Sequence, residues 1–318
     1  MTEHDGGSLL HALSFDFEHW HSATLLRPEV TDPVDHIADS AAIILDLLDR
    51  HDVRATFFIV GEVAEEYPDL IAELRDAGHE IASHGHTHTP LFDLTPEELA
   101  GELTASASAI ERASGVEPVG FRAPNFSITP RTEWAFEVLE SNGYQYDSSV
   151  FPLKTPMYGV SGAPVRPYRV ALDAPFASAS KEGSSNGGSS DEGSSNERSS
   201  GELIEFPLSA VGDRVRLPIA GGFYARLTPT ALLRWAIGWL NQREVPANIY
   251  FHPWEFNPAV RTNEPPYHKR FISFHGTERT EAKLEALLSA FEFGTVQGVL
   301  EEQGLSDQGN DSLAQPYE

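Results

Sequence analysis

Residues 52–88, DVRATFFIVGEVAEEYPDLIAELRDAGHEIASHGHTH, read as one strand–helix–strand unit that ends on a row of histidines. The run Ala55–Val60 is continuously apolar, as expected of a strand buried on both faces. Leu70 and Leu74 share one face of a helix that Gly78 stops, and His79–Ser83 begins the next strand. The same grammar extends both ways along the chain. Upstream, Leu10–Phe15 is a strand. Asp32-Pro33 then supplies an N-cap and a first-turn proline for a helix carrying Ile37, Ala41, Ile44, Leu45 and Leu48. Downstream, Thr95-Pro-Glu-Glu98 is a capping box, Pro118–Arg122 a strand, and Thr129-Pro130 opens a helix to about Asn142. Leu203–Phe206 and Asn248–Phe251 are further strands, Thr228–Asn241 is a helix between them, and a last helix covers about Thr280–Ala290. Strands alternating with helices imply a parallel sheet, and this many units predict an α/β fold with a closed or nearly closed β/α barrel. Catalytic groups in such a barrel belong just after the strand C-terminal ends.

A chain of 318 residues with 40% hydrophobic content suffices for one large packed domain, read here as 1–318 with its core at about 10–295. Residues 177–201 are mostly Gly and Ser and cannot bury enough surface to offset their ordering entropy, which predicts a flexible insertion loop; 305–318 reads as a disordered tail. With no cysteine, disulfides, thiolate zinc sites and a cysteine nucleophile are excluded. The formal charge of −26 is spread along the chain, and lysines are few. Such acidity disfavours nucleic acid and anionic membranes and predicts a surface adapted to a high-salt cytoplasm. No basic segment followed by an apolar stretch opens the sequence, and no run reaches the length of a membrane span, so the expected location is cytoplasmic.

The conspicuous polar residues fall at strand ends. In an extended chain Asp16 and Glu18 point the same way while Phe15 and Phe17 pack. Two adjacent carboxylates repel unless a cation lies between them, which suits one general base and one metal ligand; a solvated strand end fits equally well. His84 and His88 are spaced i, i+4, placing two imidazoles on one side of a turn. With a carboxylate as third ligand, such a pair leaves a coordination position for water, as in a hydrolytic zinc site. Arg122 ends an apolar strand and needs a buried carboxylate, for which Asp16 is the natural partner. His252, directly after a strand, is placed to protonate a leaving amine.

In this order, Asp16, His84 with His88, Arg122-Ala-Pro124, Tyr146-Asp147-Ser-Ser-Val-Phe-Pro152 and His252 resemble the motifs of the polysaccharide deacetylases (NodB homology, carbohydrate esterase 4-like), over about residues 10–295. The stretches Asp52–Phe58, Ala77–Gly85 and His252–Phe256 look especially like the branch found beside exopolysaccharide biosynthesis loci. The resemblance implies a distorted (β/α)7 barrel and a hydrolase that removes N-acetyl groups from an N-acetylhexosamine-containing glycan or its precursor. It implies Asp16 as base, Arg122 as its partner, His252 as general acid and Asp147 as the group orienting that histidine. Glu18, His84 and His88 would hold a divalent metal, zinc first and cobalt, manganese or nickel as alternatives. Trp20, Asn125, Tyr224 and Trp254 would contact the sugar, with Phe223 beside Tyr224; a homo-oligomer is compatible with all of this.

One departure stands out. The family pattern has two adjacent aspartates, the second binding metal, whereas here Phe17 follows Asp16 and the next carboxylate is Glu18. Glu18 is either a longer-armed third ligand or the mark of a metal-independent site of the kind that opens cyclic amides and ureides, as in the allantoinase branch. A non-catalytic sugar-binding module is the remaining alternative, although such a module has no need of Asp16, Arg122 and His252 together.

Overall fold

The computed structural model describes residues 9–155, 158–177, 202–213 and 215–306. The insertion and the tail expected from the sequence fall almost wholly outside these residues. The strands are β1 (His11–Phe17), β2 (Thr56–Ile59), β3 (Glu80–Ser83), β4 (Gly120–Phe121), β5 (Tyr146–Asp147), β6 (Tyr168–Arg169), β7 (Ile204–Glu205), β8 (Ala210–Val211), β9 (Leu217–Pro218), β10 (Asn248–Phe251) and β11 (Phe293–Gly294). One sheet runs β10-β1-β2-β3-β4-β5-β7-β6, with β11 on β1; its pairs are parallel except the last, and β8-β9 form a separate hairpin. Helices connect the parallel strands and cover the outside, which gives the distorted (β/α) barrel expected of the sequence pattern. Between β7 and β10 the wall is closed by single hydrogen bonds, from the backbone and from a side chain. Ser209 N–H donates to Asn248 O at 3.2 Å, and the Asn248 amide donates to Phe206 O at 2.9 Å.

The pleat decides what faces inward. Leu13, Phe15 and Phe17 of β1 pack outward with Phe57 and Ile59 of β2 against Ile37, Ala41, Ile44 and Leu48 of the helix Ile37–Arg50. The alternate residues Ala12, Phe58 and Ala82 line the inside together with Tyr146, Ile204 and Phe206. Below them the helix Val296–Glu302 inserts Val296, Val299 and Leu300, so the core extends past residue 295. Because Asp16 pairs in register with Phe58, and Phe58 with Ala82, Asp16 is on the inner face by the same alternation.

Two helix starts differ from expectation. The first helix begins at Ile37 rather than after Asp32-Pro33, since Asp35 is drawn aside: it accepts the Tyr67 hydroxyl and approaches His19 Nδ1 at 3.2 Å while its Oδ1 takes the Ile37 N–H at 3.0 Å. The helix expected from Thr129 starts at Ala135. There Thr132 Oγ1 donates to Ser127 O at 2.6 Å and accepts the Thr129 N–H at 2.9 Å, so local hydroxyl bonds replace the first helical turns. The capping box at Thr95 forms as expected, with Glu98 N–H on Thr95 Oγ1 and Thr95 N–H on Glu98.

Where β5 meets β7, Asp147 lies in register with Glu205, and both are wholly buried. Burial, and then the charge of Asp147, pushes the Glu205 carboxyl well above the usual carboxylate range; burial raises Asp147 as well. The pair therefore keeps one proton between two carboxyls. An unfolded glutamate loses that proton at lower pH than the folded pair does. The pair's contribution is thus fully present below the unfolded pKa and declines as pH rises through the folded one. Glu205→Gln supplies a permanent donor in the proton's place. We expect it to flatten the decline in stability between mildly acid and alkaline pH, read as the denaturant midpoint at each pH; an unchanged slope would contradict the shared proton.

Candidate active site at the carboxyl ends of the strands

Asp16, near the end of β1, meets Arg122, the first residue after β4. Arg122 is fully buried (0% exposed), which requires every guanidinium nitrogen to be satisfied. Nη1 donates to Asp16 Oδ1 at 2.7 Å and to Ser14 Oγ at 2.8 Å, Nε to Ser148 O at 2.9 Å and Nη2 to Ser148 Oγ at 2.8 Å. The guanidinium also lies 4.0 Å from the centroid of the Phe58 ring. Burial alone would raise the Asp16 carboxyl, but the Arg122 guanidinium, with the His252 imidazolium behind it, outweighs burial and holds the group below its ordinary value. Asp16 is therefore a fixed, ionised acceptor, and its expected pairing with Arg122 is present.

One step further along their strands come Glu18 and His84, with His88 beyond. His84 Nδ1 lies 2.7 Å from Arg122 O, an anchor that leaves Nε2 as the lone-pair atom, and burial depresses its pKa to about 4, so the ring is neutral. His88 sits in the left-handed region at φ 55°. Its Nε2 is 2.7 Å from Glu18 Oε2, although the contact lacks hydrogen-bond alignment. Glu18 Oε2 and His88 Nδ1 are buried without a hydrogen-bond partner among the described residues. By chemistry, two imidazoles and a carboxylate with orphaned buried atoms fit a divalent cation. The finished ligand set expected from the sequence is not formed: among the described residues, no group of three or more His, Asp or Glu side chains is arranged to hold a metal ion as it stands. The reason is local, since Glu18 closes directly on His88.

Across the site stands His252. Its Nε2 lies 3.6 Å from Glu18 Oε1 and its Nδ1 2.5 Å from Glu255 Oε1. Burial opposes charging of this ring, but the bond to Glu255 and the charges of Glu255, Glu18 and Asp16 prevail and push its pKa up to about 9, so it is an imidazolium at neutral pH. Asp147 is not the group that orients it. Asp147 accepts Ser149 Oγ at 2.5 Å and Ser149 N–H at 3.2 Å and pairs with Glu205, while the Nδ1 edge of His252 is taken by Glu255. Sequence reasoning missed Glu255, Arg226 and Ser148. Glu255 lies only three residues beyond His252, but the charge partner that lets it be buried, Arg226, comes from a separate helix.

Of the expected sugar contacts, Asn125 and Tyr224 are half-buried. Asn125 adopts φ 55° and its amide donates to Thr24 Oγ1 at 2.5 Å. Trp20 is core instead (5% exposed): its indole N–H donates to Val34 O at 2.9 Å, and its ring packs with Leu26, Trp254 and Val260. Trp254, 6% exposed, stacks on His252 at 5.1 Å rather than offering a face to a sugar. Beside Glu18 and His88, a cavity of about 580 Å³ is lined by His19, His21, Arg27, Asp35, Glu66 and Thr87, among others.

Residues 32–146 match the polysaccharide deacetylase family, and residues 148–301 match a domain of unknown function, DUF3473. The site straddles both: His84, His88 and Arg122 lie in the first segment and His252 in the second, while Asp16 and Glu18 precede them. A Mycobacterium smegmatis structure assigned to the polysaccharide deacetylases superposes with a TM-score of 0.57 at 19% identity, covering 100% of this chain and 97% of that one, and so shares the fold. Among curated proteins, peptidoglycan-N-acetylglucosamine deacetylase of Bacillus cereus is 33% identical over 95 residues, 30% of this chain and 34% of that protein. Chitooligosaccharide deacetylase of a Bradyrhizobium strain is 39% identical over 70 residues, 22% of this chain and 32% of that protein. The chain thus spans about a third of the length of the curated relatives it matches.

Proposed function

We propose that this chain hydrolyses the acetamide of an N-acetylhexosamine in a glycan or glycan precursor. The observation that carries this reading is the opposition, around Glu18, of an Arg122-paired Asp16 carboxylate and a Glu255-held His252 at the carboxyl ends of the strands. Asp16 takes a proton from the attacking water as its oxygen adds to the acetyl carbonyl. His252 gives the proton at Nε2 to the amide nitrogen as the C–N bond breaks, so that acetate and a free amine leave. Glu18, His84 and His88 are the residues that would hold a divalent cation. When bound, such an ion supplies Lewis-acid polarisation of the carbonyl. Neutral His84, fixed through Nδ1, suits that duty.

The test is acetate release from N-acetylglucosamine oligomers, with metal content measured on the same protein. We expect about one zinc-like ion per chain, as a three-ligand site holds, with release abolished by chelation and restored by metal. Absence of metal together with indifference to added metal would remove the cation from the mechanism. Absence of acetate release from the metal-loaded protein would remove this substrate class.

A further inference from the structure

We infer that Glu255, braced by Arg226, is the positioning residue of His252, filling the place that the family resemblance implied for Asp147. The inference rests on the deacetylase reading only for what His252 does in the reaction; the clamp on the ring is a matter of geometry.

The clamp starts from local chain shape. Pro253–Glu255 forms a single 3-10 turn after β10, closed by the Glu255 N–H on His252 O at 3.1 Å. In a 3-10 turn side chains three residues apart eclipse, so His252 and Glu255 fall on the same side of it. Glu255 is fully buried, and a carboxylate there needs charge compensation. Arg226 provides it, with Nε 3.1 Å from Glu255 Oε2. The other guanidinium nitrogens are committed to His275 O at 2.6 Å and Ile272 O at 2.7 Å, so the group cannot swing away. Its helix, Gly222–Leu227, is tied down in turn by Lys283, whose Nζ donates to the carbonyls of Ala225, Arg226 and Thr228 at 2.6 to 2.8 Å.

A two-pronged ion pair, the geometry that strengthens such pairs most, would place both carboxylate oxygens on the guanidinium. Glu255 instead divides them, Oε1 to His252 and Oε2 to Arg226. Trp254 covers one face of the same ring, 5.1 Å away and 17° from parallel. Held at the Nδ1 edge and on one face, the imidazole has a single orientation, with Nε2 turned to Glu18 Oε1 and the site. Outer-shell carboxylates on functional histidines act in this way, fixing tautomer and ring direction.

The test uses the whole chain and two variants. Glu255→Gln should lower kcat on N-acetylglucosamine oligomers by about 10–100-fold, as loss of an outer-shell partner does, with KM little changed. Because that change leaves Arg226 buried without its counter-charge, the double variant E255Q/R226Q restores a neutral, hydrogen-bonding pair. It should fold as the wild type does and stay slow. Recovery of wild-type kcat in the double variant would make the role structural and overturn the inference. In parallel, proton NMR on protein with nitrogen-15-labelled histidine reads the Nδ1-bound proton of His252, assigned by its loss in His252→Gln. We expect a far-downfield resonance that moves upfield in Glu255→Gln. A resonance that stays in place overturns the positioning, whatever the activity. If the resonance moves but the wild-type chain releases no acetate, the positioning stands and the deacetylase reading falls.

Discussion

Asp16→Asn is expected to reduce acetate release by about 10²–10⁴-fold, the range over which a positioned general base contributes. The substitution keeps the shape of the side chain, and its amide oxygen still accepts the Arg122 Nη1–H that Asp16 accepts at 2.7 Å. Arg122 also keeps Ser14 Oγ, both Ser148 acceptors and the Phe58 ring. The variant therefore loses a proton acceptor with little change in the shape of the site. The loss should appear in kcat with substrate affinity retained, the signature of an interaction made only in the transition state. Kinetics together with glycan binding by calorimetry decide the matter. A variant that binds glycan and still releases acetate at the wild-type rate would exclude Asp16 as the base. A wild-type chain that binds glycan without turnover would point to the sugar-binding reading instead.

Why Asp16 could be singled out from sequence, and Glu255 could not, follows from the range of the interactions involved. Strand ends are local: Phe15-Asp-Phe-Glu18, Ser83-His84 and Phe251-His252 each show an apolar strand giving way to polar side chains, and the barrel gathers such ends on one face. Asp16, Glu18, His84, Arg122 and His252 were legible for that reason. The partner of Arg122 was legible because a buried guanidinium demands a carboxylate. Which carboxylate holds His252 depended on tertiary packing. The claim of Asp147 was lost to Glu205, in register on a strand more than fifty residues later, and Glu255 gained its charge partner from a separate helix. Trp20, expected among the sugar contacts, is buried instead, and the acceptor that holds it, Val34 O, lies fourteen residues away. Helix starts failed where threonine hydroxyls or Asp35 offered the backbone another partner, a competition that periodicity does not register.

Replacing Arg122 with methionine should bring the largest loss of stability of any single change at the site, about 3–5 kcal/mol, because it strands a buried carboxylate. The guanidinium satisfies Ser14 Oγ, Asp16 Oδ1, Ser148 O and Ser148 Oγ at once, and a thioether chain of similar length returns only its dispersion contacts. Much of the loss is the cost of isolating Asp16 rather than the worth of the pair itself, and the double variant D16N/R122M separates the two contributions. With the charge removed from both sides, the double variant should be more stable than Arg122→Met alone while remaining inactive. Strict additivity of the two single costs would mean that the pair is not energetically coupled. Salt supplies a second discriminator. The formal charge is −26, and among the described residues few carboxylates are buried; repulsion between exposed ones is screened within about 10 Å at 0.1 M salt, so the stability of every form should rise with ionic strength. The Asp16–Arg122 pair, 0–3% exposed, is shielded from that screening. The gap between the wild type and Arg122→Met should therefore stay constant from low to high salt while both midpoints climb; a gap that shrinks with salt would mean that solvent reaches the pair.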